Sequence, residues 1–225
     1  MSGQATCPRC DAAVRPPSIW RSSWSCAVHG DVVPLHPAHP ADSEHLEWLA
    51  GCSDVPIWLP WPLPDGWLVT GVRTARDGRT ERAQAVAMAI SGPNPLRTPQ
   101  SHQPVADALL VSEVPGVGLG AHLAGRADLD PGDGLLGGPP VAKLQAAGAR
   151  APLWEVDGHP GDRAVFVGEA GGVWLWVVLW PASASPVLDL DIDLVDVRDP
   201  GHTLDVPCGA MSPHLQWERQ PQPSS

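Results

Sequence analysis

From residue 67 to residue 180 the chain alternates short apolar runs with Gly, Pro and Asp. Segments 67–73 and 83–91 flank a polar turn at Asp77 and Gly78, which predicts an antiparallel hairpin. Segment 108–114 is apolar enough for a buried strand. Segments 153–156, 164–169 and 173–180 predict three more, the last two joined by a tight turn at Ala170, Gly171 and Gly172. Segment 188–197 alternates Asp189, Asp191 and Asp193 with Leu190, Ile192 and Leu194, and predicts a strand with its carboxylates outward. Helical signals are few. Ser43 is placed to cap a helix over 44–52, and 141–147 predicts a short helix ended by Gly148. Segments 92–104 and 126–140 read as loops. The pattern implies an α+β chain dominated by antiparallel strands.

Composition sharpens this picture. The 225 residues include 27 Pro and 23 Gly, so turns and extended segments must outweigh long helices. There are 11 Trp against one Phe and no Tyr, and Lys143 is the only lysine. This tryptophan-rich bias fits a GC-rich bacterial genome and makes most Trp core filler. Trp174, Trp176 and Trp180 share one strand face, but Leu175, Val177 and Leu179 make the other face equally apolar, so burial on both sides is expected. Trp58, Trp61 and Trp67 lie among prolines and fit a core less easily. An apolar groove beside them is the expected binding surface.

The formal net charge of −11 leaves no basic footprint for phosphate backbones and argues against nucleic acid as a partner. The polar N-terminal decapeptide is unlike a signal peptide. The apolar run at 173–180 is too short to span a bilayer. A cytoplasmic, membrane-free location with reduced thiols is therefore expected. Five cysteines do not suit a full disulfide framework.

Four residues carry a specific chemical signal. Cys7 and Cys10 form one C-x2-C knuckle, and Cys26 with His29 forms a second knuckle, C-x2-H, fifteen residues on. Two such turns can aim four side chains at one point, and three thiolates with one imidazole are a structural zinc set. Gly30 allows the close backbone approach the second knuckle needs. Asp11 stands where a first knuckle often carries Gly. Val14, Ile19, Trp20 and Trp24 can cover one face of a hairpin but cannot form an independent core, so a module this small needs its metal to fold. Four protein ligands close the site, which predicts structural Zn2+ rather than a catalytic ion.

Other signals read more simply as structure. Gly116, Gly118 and Ala121 fit G-x-G-x-x-A, but a Gly/Asp/Pro loop follows where a nucleotide-binding unit needs a helix and a parallel strand. Asp128, Asp130, Asp133 and Gly134 have the wrong spacing for a calcium loop. Glu155, Asp157, His159 and Asp162 could supply acid–base groups, but the Gly158 and Gly161 turns attract such residues anyway. Cys208, near His202 and His214, is expected to be a buried small hydrophobe rather than a nucleophile. His36, His39 and His45 are assigned to a linker and the helix after it.

These segments together resemble a known family. The sequence CPRC, the C-x2-HG knuckle, VPIWLPWPLPDGW, PGVGLGAHLAG, DRAVFVGEAGGVWLWVVLWP and PCGAMSP are similar to an uncharacterised actinobacterial family, from about Cys7 to Leu215. Some similar proteins carry the label phosphotransacetylase, but no arrangement here fits coenzyme A or acetyl phosphate. The resemblance implies no activity or catalytic residue. The expected organisation is a zinc-ribbon-like module at 1–33, a linker at 34–44, an α+β domain at 45–215 and a disordered tail at 216–225. The expected function is a non-enzymatic binding or regulatory protein with an unknown protein or small-molecule partner. The alternative is a small-molecule enzyme, such as an acyl or phosphoryl group transferase, using the 155–162 cluster.

Overall fold

Strand pairing begins from residues that are apolar on both faces. A computed structural model describes residues 4–95, 105–126, 131, 138–190, 192–199 and 206–215. Two short strands, β1 (Ser25–Cys26) and β2 (Gly30–Asp31), pair antiparallel beside the knuckles. Helix α1 (Ser43–Cys52) follows, and then β3 (Trp58–Pro60), β4 (Leu68–Arg76), β5 (Ala83–Pro93) and β6 (Val105–Glu113). The six-residue helix α2 (Leu119–Ala124) precedes β7 (Ala142–Ala146), β8 (Ala149–Glu155), β9 (Ala164–Ala170) and β10 (Val173–Trp180). A 3-10 helix (Ala182–Asp189), β11 (Asp193–Asp196) and a 3-10 turn (Pro213–Leu215) complete the described elements.

Strands β3 to β11 form one curled sheet of nine, in the order β3-β11-β7-β8-β9-β10-β6-β5-β4. All neighbours are antiparallel except β11 and β7. The fold is thus mostly antiparallel β with few short helices and a small N-terminal Cys/His site. Two-residue alternation fills both faces. Val86, Met88, Ile90, Leu110, Phe166, Leu175, Val177 and Leu179 pack with Leu46 and Leu49 of α1. Ala85, Ala87, Ala89, Leu109, Val111, Val165, Val167, Trp176 and Val178 pack with Leu119, Ala121 and Leu123 of α2. Trp176 is fully buried because its neighbours are small. It sits level with Val111 and, one strand further, Ala87, while a Cβ at Gly120 would lie 2.2 Å from its ring.

The hairpin at 67–91, the strand near 108–114 and the three strands ending at Trp180 form as their patterns predict. Helix α1 also forms, but its cap is Asp42, whose Oδ1 accepts the His45 N–H at 2.8 Å, and Ser43 is the first helical residue. Segment 141–147 differs: it is strand β7, held antiparallel to β8 and parallel to β11. Gly148 is not a helix stop but half of a hairpin turn, with Ala147 at φ 48° and Gly148 at φ 78°. Most of segment 188–197 is likewise not strand. The 3-10 helix runs to Asp189, Leu190 is 42% exposed, and among the described residues of the segment Asp193–Asp196 are the strand. Asp196 points inward, accepting the Ile57 N–H and Arg198.

Edge strand β4 is covered. Segment 34–39 runs beside it, with His39 and Val72 exchanging backbone hydrogen bonds at 2.8 and 2.9 Å and the His36 N–H bonding Thr74 O. Among the described residues, no helix is long and apolar enough to cross a membrane. Asp128, Asp130, Asp133, Gly134, Asp191, His202 and segment 216–225 lie outside the described residues.

Candidate metal centre

The two knuckles bring four donor atoms together. The ligand atoms of Cys7, Cys10, Cys26 and His29 all lie within 4.8 Å of one another, and the group could hold a metal ion. Cys7 Sγ is 3.4 Å from His29 Nδ1, Cys26 Sγ is 3.7 Å from the same nitrogen, and Cys10 Sγ is 3.8 Å from Cys26 Sγ. None of the five cysteines is in a disulfide.

Each knuckle is shaped by its backbone. Cys7 O accepts the N–H groups of Cys10 and Asp11, closing the first turn. The Val28 N–H donates to Cys26 Sγ at 3.4 Å in the second. Burial pushes the Cys7 thiol up to about 12. Burial also opposes ionisation at Cys26, but the Val28 and His29 N–H groups and the His29 ring outweigh it and bring that thiol down to about 6. Cys7, Val14 and Cys26 are buried under Ala5, Ala12, Trp24 and Val32. Ile19 and Trp20, expected to cover the hairpin, instead form its tip and are about nine-tenths exposed.

The knuckles are bonded to the sheet. Arg9, between Cys7 and Cys10, donates to the carbonyls of Gly116 and Val117. Asp11 adopts φ 53° in the left-handed region and accepts from Thr6 Oγ1 at 2.7 Å and Arg73 Nη2 at 3.0 Å. Arg73, on β4, also donates to His36 O and Leu215 O. Trp24 lies against Gly78, where a Cβ would be 2.2 Å from the indole nitrogen. A cleft of about 390 Å³ opens along this seam, lined among others by Arg9, Trp24, Asp31, Arg79, Gln84 and Val117.

The remaining sequence candidates resolve into structure. Gly116 and Gly118 have φ 90° and 83°, Gly118 starts α2, and Gly120 makes room for Trp176, which accounts for the glycine spacing. Glu155, Asp157 and Asp162 are exposed. Arg163 hydrogen bonds hold Asp162 below the usual carboxylate range, and His159 Nδ1 lies 2.8 Å from Pro160 O. Cys208 is exposed rather than buried, because it lies at the surface with its thiol donating to Ala41 O at 2.9 Å, while His214 stacks on Trp180 at 4.0 Å. Trp58 is not a groove residue: it is 3% exposed in β3, and Trp67 is 4% exposed, leaving Trp61 at 37%. Sequence reasoning missed Arg73 and the seam cleft, because both depend on contacts distant in the chain.

A family model, described as a family of unknown function (DUF6758), matches residues 1–215. No curated protein and no solved structure matches the chain.

Proposed function

The chain belongs to this family of unknown function, and from that premise we propose that it is a cytoplasmic, non-enzymatic binding protein whose N-terminal ribbon is fixed by one structural zinc ion. The observation that carries the reading is the donor geometry. With Zn–S near 2.3 Å and Zn–N near 2.0–2.1 Å, a tetrahedron places S···S at about 3.8 Å and S···N at about 3.5 Å. Three of the cluster's six spacings, 3.8, 3.4 and 3.7 Å, fit that shape, and all four donors lie within 4.8 Å of one another. Three thiols and an imidazole are borderline-soft donors that suit zinc and leave no fourth position for a substrate. Cys7, Cys10, Cys26 and His29 would hold the ion, and its role would be to fasten the knuckles that carry Arg9 and Asp11.

The bound partner or ligand is assigned to the seam cleft rather than to the Trp58 segment. The cleft combines an indole wall at Trp24 and apolar Val32 and Val117 with a charged rim at Asp31, Asp77 and Arg79, the mixture expected of a small-ligand or peptide site. Trp58 is unavailable because it is core. No observation favours the group-transferase alternative, since the 155–162 carboxylates are exposed and do not join His159 in a metal-holding group among the described residues. The test is ligand and partner screening of the zinc-loaded protein against Gln84→Ala and Arg79→Ala variants. A partner lost by both variants, with metal content unchanged, supports the assignment. A partner or substrate turnover indifferent to both overturns it.

A further inference from the structure

A second cavity lies on the other side of the covered edge. Its floor is Val72, Thr74 and Arg76, three alternate residues on one face of β4. Its roof is His45 and Trp48, three residues apart on α1. His39, held to Val72 by two backbone hydrogen bonds, closes one side. The space is about 260 Å³, enough for a small molecule or part of one.

The groups around it are cationic or can become so. The His39 and His45 rings stack at 5.0 Å, His45 meets Trp48 at 5.3 Å, and the Arg76 guanidinium lies 5.1 Å over the Trp48 ring. Arg76 is largely buried, and its Nε has no hydrogen-bond partner. A largely buried guanidinium with a donor left unpaired is under-satisfied, so an anion in the cavity that Arg76 lines is favoured by its charge. Two acids face the group. Glu81 is 68% exposed and 4.0 Å from Arg76 Nη1, too far for a close pair, and Asp42 is engaged in capping α1. His36 also faces Arg76 and Glu81, and Cys52 lies near Arg76 and Arg82. Arg82 is itself paired with Asp54. In a chain of net charge −11, this is a local concentration of donors whose nearest acids are an exposed Glu81 at 4.0 Å and a capping Asp42.

We propose that this cavity is a binding site for a small oxyanion, a carboxylate or phosphate group, received by Arg76 and the His39–His45 pair. The planar guanidinium fork matches either oxyanion. Burial, Arg76 and the neighbouring imidazole hold His36 and His45 below the usual histidine range in the free protein. A bound anion favours the protonated form of the imidazole it contacts, so His45, which lines the cavity, takes up a proton as the anion binds. Affinity therefore rises as pH falls, by up to about ten-fold per pH unit for each linked proton. The site shares no residue with the metal centre or the seam cleft and stands independently of the function proposed above.

The experiment is isothermal titration of the full metal-loaded chain with inorganic phosphate and, separately, acetate, at constant chloride ionic strength, at about pH 6 and about pH 8. The expected result is binding of at least one anion, tighter at the lower pH by about ten-fold or more, with heats that reveal proton uptake. Arg76→Gln removes that binding, and His45→Gln flattens its pH dependence. His159→Gln, on a distant loop, changes neither. No binding of either anion at millimolar concentration overturns the proposal, as does binding that Arg76→Gln leaves intact. If Arg76→Gln does not fold, His45→Gln decides alone: an unaltered pH dependence in that variant overturns the proposal.

Discussion

Arg73, in the middle of edge strand β4, places its Nη2 3.0 Å from Asp11 Oδ1, one residue past the first cysteine knuckle. The pair explains why a carboxylate residue stands where a knuckle often has Gly. Asp tolerates the left-handed φ of 53° better than most residues do. In return its carboxylate meets an arginine whose side chain is only 8% exposed. The pair ties the Cys/His module to the sheet through a contact 62 residues apart in the chain.

Removing that carboxylate is expected to destabilise the protein, because it leaves a buried guanidinium without its counter-charge. Asp11→Ala should cost about 3 kcal/mol. Asp11→Gly should cost about 1 kcal/mol less, since Gly relieves the left-handed backbone. Urea unfolding of both variants checks the order. Equal stabilities would mean that the backbone conformation carries no cost.

Chelation should separate the two parts of the chain. The amides of Arg15 and Ser25 bond only within the knuckle module, each to the other's carbonyl. Those of Val86, Leu109 and Val177 belong to the central sheet. Hydrogen exchange after metal removal should release the first set and spare the second. Simultaneous release of both would show that the sheet also depends on the metal.

The tryptophans of the proline-rich segment should behave oppositely. Trp58→Ala empties a core position and should cost about 3–5 kcal/mol. Trp61→Ala, at a site 37% exposed, should cost under about 1 kcal/mol. Thermal melts of the two variants distinguish core from surface. Gly120→Ala should also destabilise, by about 1–3 kcal/mol, because the methyl meets the buried Trp176 ring. Gly161→Ala, with nothing within 4 Å of its Cβ, is the neutral control.

Stability should fall on mild acidification. Burial holds His122 and His214 below the usual histidine range, against the opposing pull of Asp11 on the first and Asp107 on the second. Their folded-state values lie under the unfolded one, so the unfolded chain binds protons first as pH falls. The contribution is complete above about pH 6.5 and is lost below it. Urea unfolding at a series of pH values should show this slope, and His214→Gln should reduce it at unchanged metal content. A slope unaffected by the substitution would remove His214 from the account.

Local signals carried much of this fold. The strands ending at Glu113, Ala170 and Trp180 are apolar runs bounded by turn residues, and pairing only had to join them. The knuckle residues were legible because C-x2-C and C-x2-H turns are set by adjacent backbone. What failed was decided at a distance. Ala142–Ala146 contains Ala, Lys, Leu and Gln, all good helix formers, yet two neighbouring strands overrode that propensity. The prolines around Trp58 suggested exposure, but pairing of Trp58 with Asp196 draws the indole inward. His39, His45, Trp48 and Arg76 come from three segments, and nothing in their spacing marks a shared cavity.

The central claim is one zinc ion held by Cys7, Cys10, Cys26 and His29. Native mass spectrometry of the purified chain, against a denatured control, tests it most directly. The account predicts a mass increase of one zinc that disappears in Cys26→Ser and survives in Cys208→Ser. A native mass equal to the bare chain, or zinc retained by Cys26→Ser, would contradict it.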